Sequence, residues 1–228
     1  MNNATFFFNQ PKNEPVLSYA KGSKERELLS KELEKQYNQC IEIPIIINGK
    51  EIKTGNVSEV VMPTEHSHVL AKFHKADKET VQKAIESALE ARKKWENVHW
   101  IDRCSIMLRA AELLAGKYRY VINAATMLGQ GKNPFQAEID SACETIDFLR
   151  FNVHYASKIY AQQPLSDNSA INRLEYRGLE GFVYAISPFN FTSIACNLNI
   201  SPVLMGNVTV WKPATTAVLS NYYLMKIL

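Results

Sequence analysis

From Gly181 the sequence runs Phe182-Val183-Tyr184-Ala185-Ile186, a near-continuous apolar stretch, into a turn at Ser187-Pro188-Phe189-Asn190. A helical stretch from about Thr192 to Met205 follows, then a Gly206-Asn207 break and a second short run, Val208-Thr209-Val210-Trp211. Nothing else in the chain constrains its fold as tightly. Short apolar runs bounded by turn residues read as strands buried on both faces, as in a parallel sheet covered by helices. Lys212-Pro213 ends the second strand, and a further helix begins near Ser220. The result is a β-α-β-α run, the opening of a doubly wound α/β sheet. Ligands of such sheets bind beyond the carboxyl ends of the strands. Both ends are polar here: Ser187 and Asn190 after the first strand, Lys212 and Thr215 after the second.

What precedes this run is organised differently. Residues 1–38 are polar with alternating charges, and read as an arm in which residues 23–37 form an exposed helix. From 39 to 163 come β-hairpins and then helices. Ile43 to Ile47 is a β-branched run closed by Asn48-Gly49, a hairpin signal, with Glu51-Ile52-Lys53 returning. Val57–Met62 and Val69–Phe73 pair across a turn at Pro63–His68. Asp77 then caps a helix whose apolar face is Val81, Ala84, Ile85, Ala88 and Trp95. A second helix runs from about Ile101 to Gly116 and a third from Tyr118 to Leu128. A long fourth runs from Pro134 to Tyr160, with a stripe from Phe135 through Ile139, Cys143, Ile146, Leu149 and Val153. Residues 164–180 are polar with alternating Ile171, Leu174 and Tyr176, which predicts a projecting strand pair. Residues 181–228 are the sheet opening, and Asn221–Leu228 is an amphipathic helix without a C-cap. Two parallel strands need neighbours, so the expectation is the front of a longer protein.

Composition removes several classes of function. With 26 basic and 23 acidic residues in 228, the net charge of +3 offers no footprint for nucleic acid. The Arg92-Lys93-Lys94 run reads as a solvated helix face. No apolar stretch approaches the roughly 18–20 residues of a membrane span, and the first fifteen residues show neither a secretory nor a mitochondrial leader pattern. A cytosolic address is therefore expected. Cys40, Cys104, Cys143 and Cys196 have no metal-ligand spacing, and three of them fall on apolar helical positions. His66 and His68 fit a polar turn, and no metal site is expected. Gly129-Gln130-Gly131-Lys132 lacks phosphate-loop spacing and reads as a helix C-cap.

The strings GLEGFVYAISPFNFTSIACNL and LMGNVTVWKPATTAVLSNYYLMKIL resemble the aldehyde dehydrogenase superfamily. The match extends back through MLGQGKNPFQAEIDSACETIDFLRFNVHYA and NEPVLSYAKGSKER, over nearly all of the chain. SPFNF and WKP are shared across the superfamily. The long helix and YRGLEGF are similar to the branch that oxidises L-glutamate γ-semialdehyde to L-glutamate in proline catabolism. The resemblance implies the first half of a Rossmann-like NAD-binding sheet and NAD as cofactor. The substrate would be a small molecule, and the segment 164–180 would be the flap through which such enzymes form dimers or larger homo-oligomers. A eukaryotic source would imply the mitochondrial matrix.

Site residues follow from the same resemblance. Asn190 falls on the asparagine whose side-chain amide stabilises the oxyanion, a fixed neutral donor aimed at developing charge; asparagine also starts helices well. Ser187 and Phe189 fall on cofactor-lining positions, and Lys212 on the lysine that bonds the adenosine ribose. Thr215 stands where many relatives carry a ribose-binding glutamate, which loosens the inference of NAD over NADP. Glu144 matches a position near the amino-acid end of the substrate, and fits an exposed helix carboxylate equally. Phe191 would face the aldehyde channel or fill the core. The nucleophilic cysteine and general-base glutamate of the family lie beyond residue 228, so these residues alone are expected to be inactive. Other readings are a different aldehyde dehydrogenase branch or a non-catalytic interaction module.

Overall fold

The computed structural model describes residues 6–228; the opening residues of the arm, where the leader reading begins, lie outside the described residues. Beyond them the arm lies across the body and leads into α1 (Lys24–Tyr37), whose first turn is capped by Ser23 Oγ accepting from the Arg26 amide. This helix is not wholly exposed. Leu29 and Gln36 are buried, and Gln36 Nε2 donates to the Val121 carbonyl at 3.0 Å.

The arm is pinned by one buried carboxylate, Glu138. Its oxygens accept from the Leu17 amide (2.9 Å), the Tyr19 hydroxyl (2.6 Å) and Asn123 Nδ2 (2.8 Å). Arg119 pairs with Glu138 and also with Glu14 (2.5 Å), while Arg119 Nη2 donates to the Pro15 carbonyl (2.7 Å). Burial alone would raise the Glu138 pKa, but Arg119, Tyr19 and the Leu17 amide outweigh it and hold the carboxyl below its usual range.

The expected Ile43–Ile47 strand is two strands. Pro44 has no N–H to give a ladder, so the run breaks there. β1 (Ile41–Ile43) pairs in parallel with β5 (Glu65–His74). β2 (Ile45–Ile47) forms the expected hairpin with β3 (Lys50–Ile52), turning through left-handed Asn48 and Gly49. β4 (Val57–Met62) pairs antiparallel with β5. β5 starts at Glu65, so His66 and His68 lie on a strand rather than in a turn, and the His68 ring stacks on Tyr37 at 4.0 Å.

Four helical segments follow. α2 (Lys78–Trp95) is capped by Asp77 as expected, yet Val81 is exposed and the rest of its apolar face only half-buried. Arg92, read as solvated, pairs with Glu180 at 2.8 Å and Glu96 at 3.2 Å. α3 (Trp100–Ala115) and α4 (Arg119–Gln130) build the core with the long fourth helix. α4 ends on Gly131 at φ 65°, the left-handed cap that glycine adopts at no steric cost. The fourth helix is not continuous α. It comprises α5 (Pro134–Ala137), a π-helical segment Glu138–Glu144 and α6 (Thr145–Tyr160). Phe135 is exposed, so the apolar stripe begins later, at Cys143, Ile146, Leu149 and Val153. The polar residues Glu138, Asp140, Ser141 and Thr145 are buried beside it.

Residues 164–180 contain no strand; an Asp167-centred turn and side-chain bonds such as Gln163 to Leu174 take the place of a ladder. Leu165 and Ile171 project into solvent, 93% and 85% exposed. Gly178 closes this segment against the main chain: a Cβ there would sit 2.7 Å from the Gly206 carbonyl oxygen. Because backbone cannot yield as a flexible side chain can, Gly178→Ala is expected to cost about 1–3 kcal/mol, measured as a lowered urea midpoint.

β6 (Val183–Ile186), α7 (Thr192–Leu204), β7 (Thr209–Lys212) and α8 (Val218–Ile227) form the expected β-α-β-α run, with β6 and β7 parallel. β6 is not buried on both faces. Tyr184 and Ile186 are more than half exposed, because helices cover only the other side of this two-stranded sheet.

Candidate active site

The carboxyl ends of β6 and β7 meet. Trp211 Nε1 donates to the buried Ser187 Oγ at 3.0 Å, and the Ser187 amide donates to the Lys212 carbonyl at 3.3 Å, carrying the parallel ladder one step past the strands. Lys212 itself is exposed, with Thr215 opening a 3₁₀ turn three residues on. Phe189 is 67% exposed on the turn between β6 and α7, and Asn190 beside it is exposed too. Ser187, Phe189, Asn190 and Lys212 thus share one rim of the sheet.

α7 begins in an unusual way. Its N-cap residue is Phe191, which has no side-chain acceptor, and Asn190 does not substitute for it. The cap comes from another helix: Asp140 Oδ2 accepts from the Thr192 amide (3.0 Å) and Oδ1 from the Ser193 amide (2.9 Å). A carboxylate at this point satisfies two orphan amides and meets the positive end of the helix dipole. Asn190 is therefore relieved of capping. Among the described residues no partner engages its side-chain amide.

Lys132 completes the arrangement. Its Nζ lies 2.6 Å from Asp140 Oδ2, donates to the Asn190 carbonyl at 2.6 Å, and sits 4.4 Å from the centroid of the half-buried Phe191 ring. The first turn of α7 is held from the side as well. Thr192 Oγ1 lies within hydrogen-bond distance of Thr126 (2.9 Å), Gln130 (2.7 Å) and Ser220 (3.0 Å). Ser193 Oγ donates to Glu144 Oε2 at 2.7 Å, so Glu144 is a half-buried member of this cluster and not a free helix carboxylate.

Sequence reasoning missed Lys132 and Asp140. Lys132 was visible only as the residue after a helix cap, and Asp140 only as a charge within a helical stretch. The π segment beneath Asp140 has no compositional signal.

None of the buried thiols suits a nucleophile. Burial pushes Cys104, Cys143 and Cys196 each up to about 12, far above the range in which a thiolate forms. Among the described residues no group of three or more His, Cys, Asp or Glu could hold a metal ion. No helix there is long and apolar enough to cross a membrane.

A parallel strand pair with a polar rim at its carboxyl ends, set against a helical body, has the layout of an open α/β domain. The sequence model of the aldehyde dehydrogenase family matches residues 51–228, and the chain belongs to that family. Within it, the chain is 53% identical over 227 residues to a delta-1-pyrroline-5-carboxylate dehydrogenase of Agaricus bisporus, covering 99% of this chain and 42% of the relative. It is 50% identical to the human mitochondrial enzyme of that name, over 95% of this chain and 38% of the relative. The crystal structure of the Mycobacterium tuberculosis enzyme bound with NAD superposes with a TM-score of 0.96 at 45% identity, covering 99% of this chain and 42% of that one. The chain thus spans about two-fifths of the length of the curated relatives it matches.

Proposed function

We propose that the chain is part of an NAD-dependent dehydrogenase that oxidises L-glutamate γ-semialdehyde to L-glutamate. Asn190 is the oxyanion donor in this reading, and the nucleophile and general base are supplied by residues outside these 228. The observation that carries it is the state of Asn190: its main chain is tied down at the carboxyl end of a parallel strand while, among the described residues, nothing engages the side-chain amide of this exposed residue. A donor of that kind can stabilise an alkoxide without reorganising, which is where the electrostatic gain comes from.

Ser187, Phe189 and Lys212 would hold the cofactor along the shared rim, and their chemistry fits the task. Lys212 offers an exposed ammonium on a flexible stem, suited to a ribose hydroxyl, and Phe189 an exposed flat apolar face. Bound NAD supplies the hydride acceptor. Phe191 and Glu144 would line the aldehyde and amino-acid ends of the substrate. The division into arm (1–38), hairpins and helices (39–163), flap (164–180) and sheet opening (181–228) belongs to the same reading. The flap, with Leu165 and Ile171 in solvent, would seat a second copy in a homodimer or larger assembly. The compartment would be the cytosol, or the mitochondrial matrix in a eukaryote; the names of the Dictyostelium and human relatives call those proteins mitochondrial.

The test is NADH formation by the intact protein encoded around this chain, with L-glutamate γ-semialdehyde against a simple aliphatic aldehyde. Preference for the semialdehyde is expected; equal turnover would favour another branch, and none would exclude the activity. For the cofactor rim, Lys212→Ala is expected to weaken NAD by about 1.5–3 kcal/mol, the range of a charged hydrogen bond, with aldehyde KM near normal. Calorimetric titration of NAD reads this directly, and an unchanged Kd removes Lys212 from the rim.

A further inference from the structure

We propose that Lys132 and Asp140 are positioning residues of the reaction, acting on Asn190 through its main chain; this rests on the proposed role of Asn190. The turn between β6 and α7 has no regular hydrogen bonding of its own, so its shape must be imposed from outside. The pair imposes it on four consecutive residues. Lys132 takes the Asn190 carbonyl and the Phe191 ring, while Asp140 takes the amides of Thr192 and Ser193. The two side chains also pair with each other at 2.6 Å.

Each half of the clamp depends on the other. Asp140 is 2% exposed, and a carboxylate that buried needs the Lys132 ammonium as well as the two amides. Lys132 spends two of its three N–H donors on Asp140 and the Asn190 carbonyl and holds its charge over the Phe191 ring. Glu144, bonded to Ser193, is the third charged group facing this turn and adds to the anionic side. The peptide that follows Asn190 is thereby fixed, and the amide of its side chain swings from a fixed base. Catalytic groups lose much of their effect when displaced by about 1 Å.

The test is a double-mutant cycle in the intact enzyme, using whichever aldehyde the wild type turns over. Lys132→Met is expected to lower kcat by roughly 10- to 100-fold, leaving the Kd for NAD unchanged. In an Asn190→Ala background the same substitution should have no further effect on kcat, because it acts through the group already removed. Lys132→Arg, which keeps the charge, should recover most of the loss. If Lys132→Met fails to fold, Lys132→Ala, which likewise removes the donor to the Asn190 carbonyl but leaves room for water, takes its place in the cycle. Equal fold-losses in both backgrounds, or wild-type kcat in the single variant, overturn the proposal. Asn190→Ala alone reports separately on the role of Asn190: a harmless single variant condemns that role, whereas a damaging one beside a harmless Lys132 variant condemns only the clamp.

Discussion

Asn190→Ala in the intact enzyme is expected to slow turnover by roughly 10²–10³-fold, the usual loss for one oxyanion donor. The argument is one of charge. A tetrahedral alkoxide develops where the aldehyde carbonyl stood, and a neutral amide whose main chain is already fixed can meet it at no cost of reorganisation. Because no hydrogen bond or ion pair engages the exposed Asn190 side chain among the described residues, its removal should leave the melting temperature and NAD affinity near wild type. Steady-state kcat and NAD calorimetry on the same preparation separate these effects. A variant that keeps more than about a third of wild-type turnover has lost no such donor.

The largest expected effect on stability lies far from that rim. Arg119→Met leaves Glu138 fully buried with its principal cation gone, and should cost about 3–5 kcal/mol, as broken buried ion pairs do. The loss is large because Arg119 also holds Glu14 and the Pro15 carbonyl, so the arm loosens with it. Urea unfolding of the variant, compared with Glu138→Gln/Arg119→Met, measures it. The double variant should be the more stable of the two, since it removes the stranded charge. A single-variant loss below about 1 kcal/mol would mean that Tyr19, Asn123 and the Leu17 amide suffice for Glu138.

Much of this was readable from residue patterns, for identifiable reasons. Alternation and turn residues located β4 and the β2–β3 hairpin, because a period of two and an Asn-Gly turn are local signals. Helical spacing located α3 and α4, and the apolar runs around the SPFNF and WKP motifs located β6, β7 and the rim they form. What escaped was decided by distant partners. Pro44 sends Ile41–Ile43 to a different sheet from Ile45–Ile47, and only β5 reveals where. Residues 164–180 read as alternating, yet no ladder forms in them. Tyr184 and Ile186 look like core because their composition does, while burial depends on what lies above the sheet. The Lys132–Asp140 clamp escaped altogether: its members are 52 and 58 positions from the residues they hold, and no window spans that.

The clamp on the arm has a consequence for the order in which the molecule is made. Tyr19 meets Glu138 across 119 positions, and Phe8 donates to Ser157 across 149. At translation rates of about 5–20 residues per second, the arm is synthesised roughly six to twenty-four seconds before its anchor. During that interval its charged, proline-containing sequence lacks the buried carboxylate that pins it. Closing so long a loop also makes its docking late in refolding from denaturant. The arm is the first part of the chain to be born and among the last to find its place.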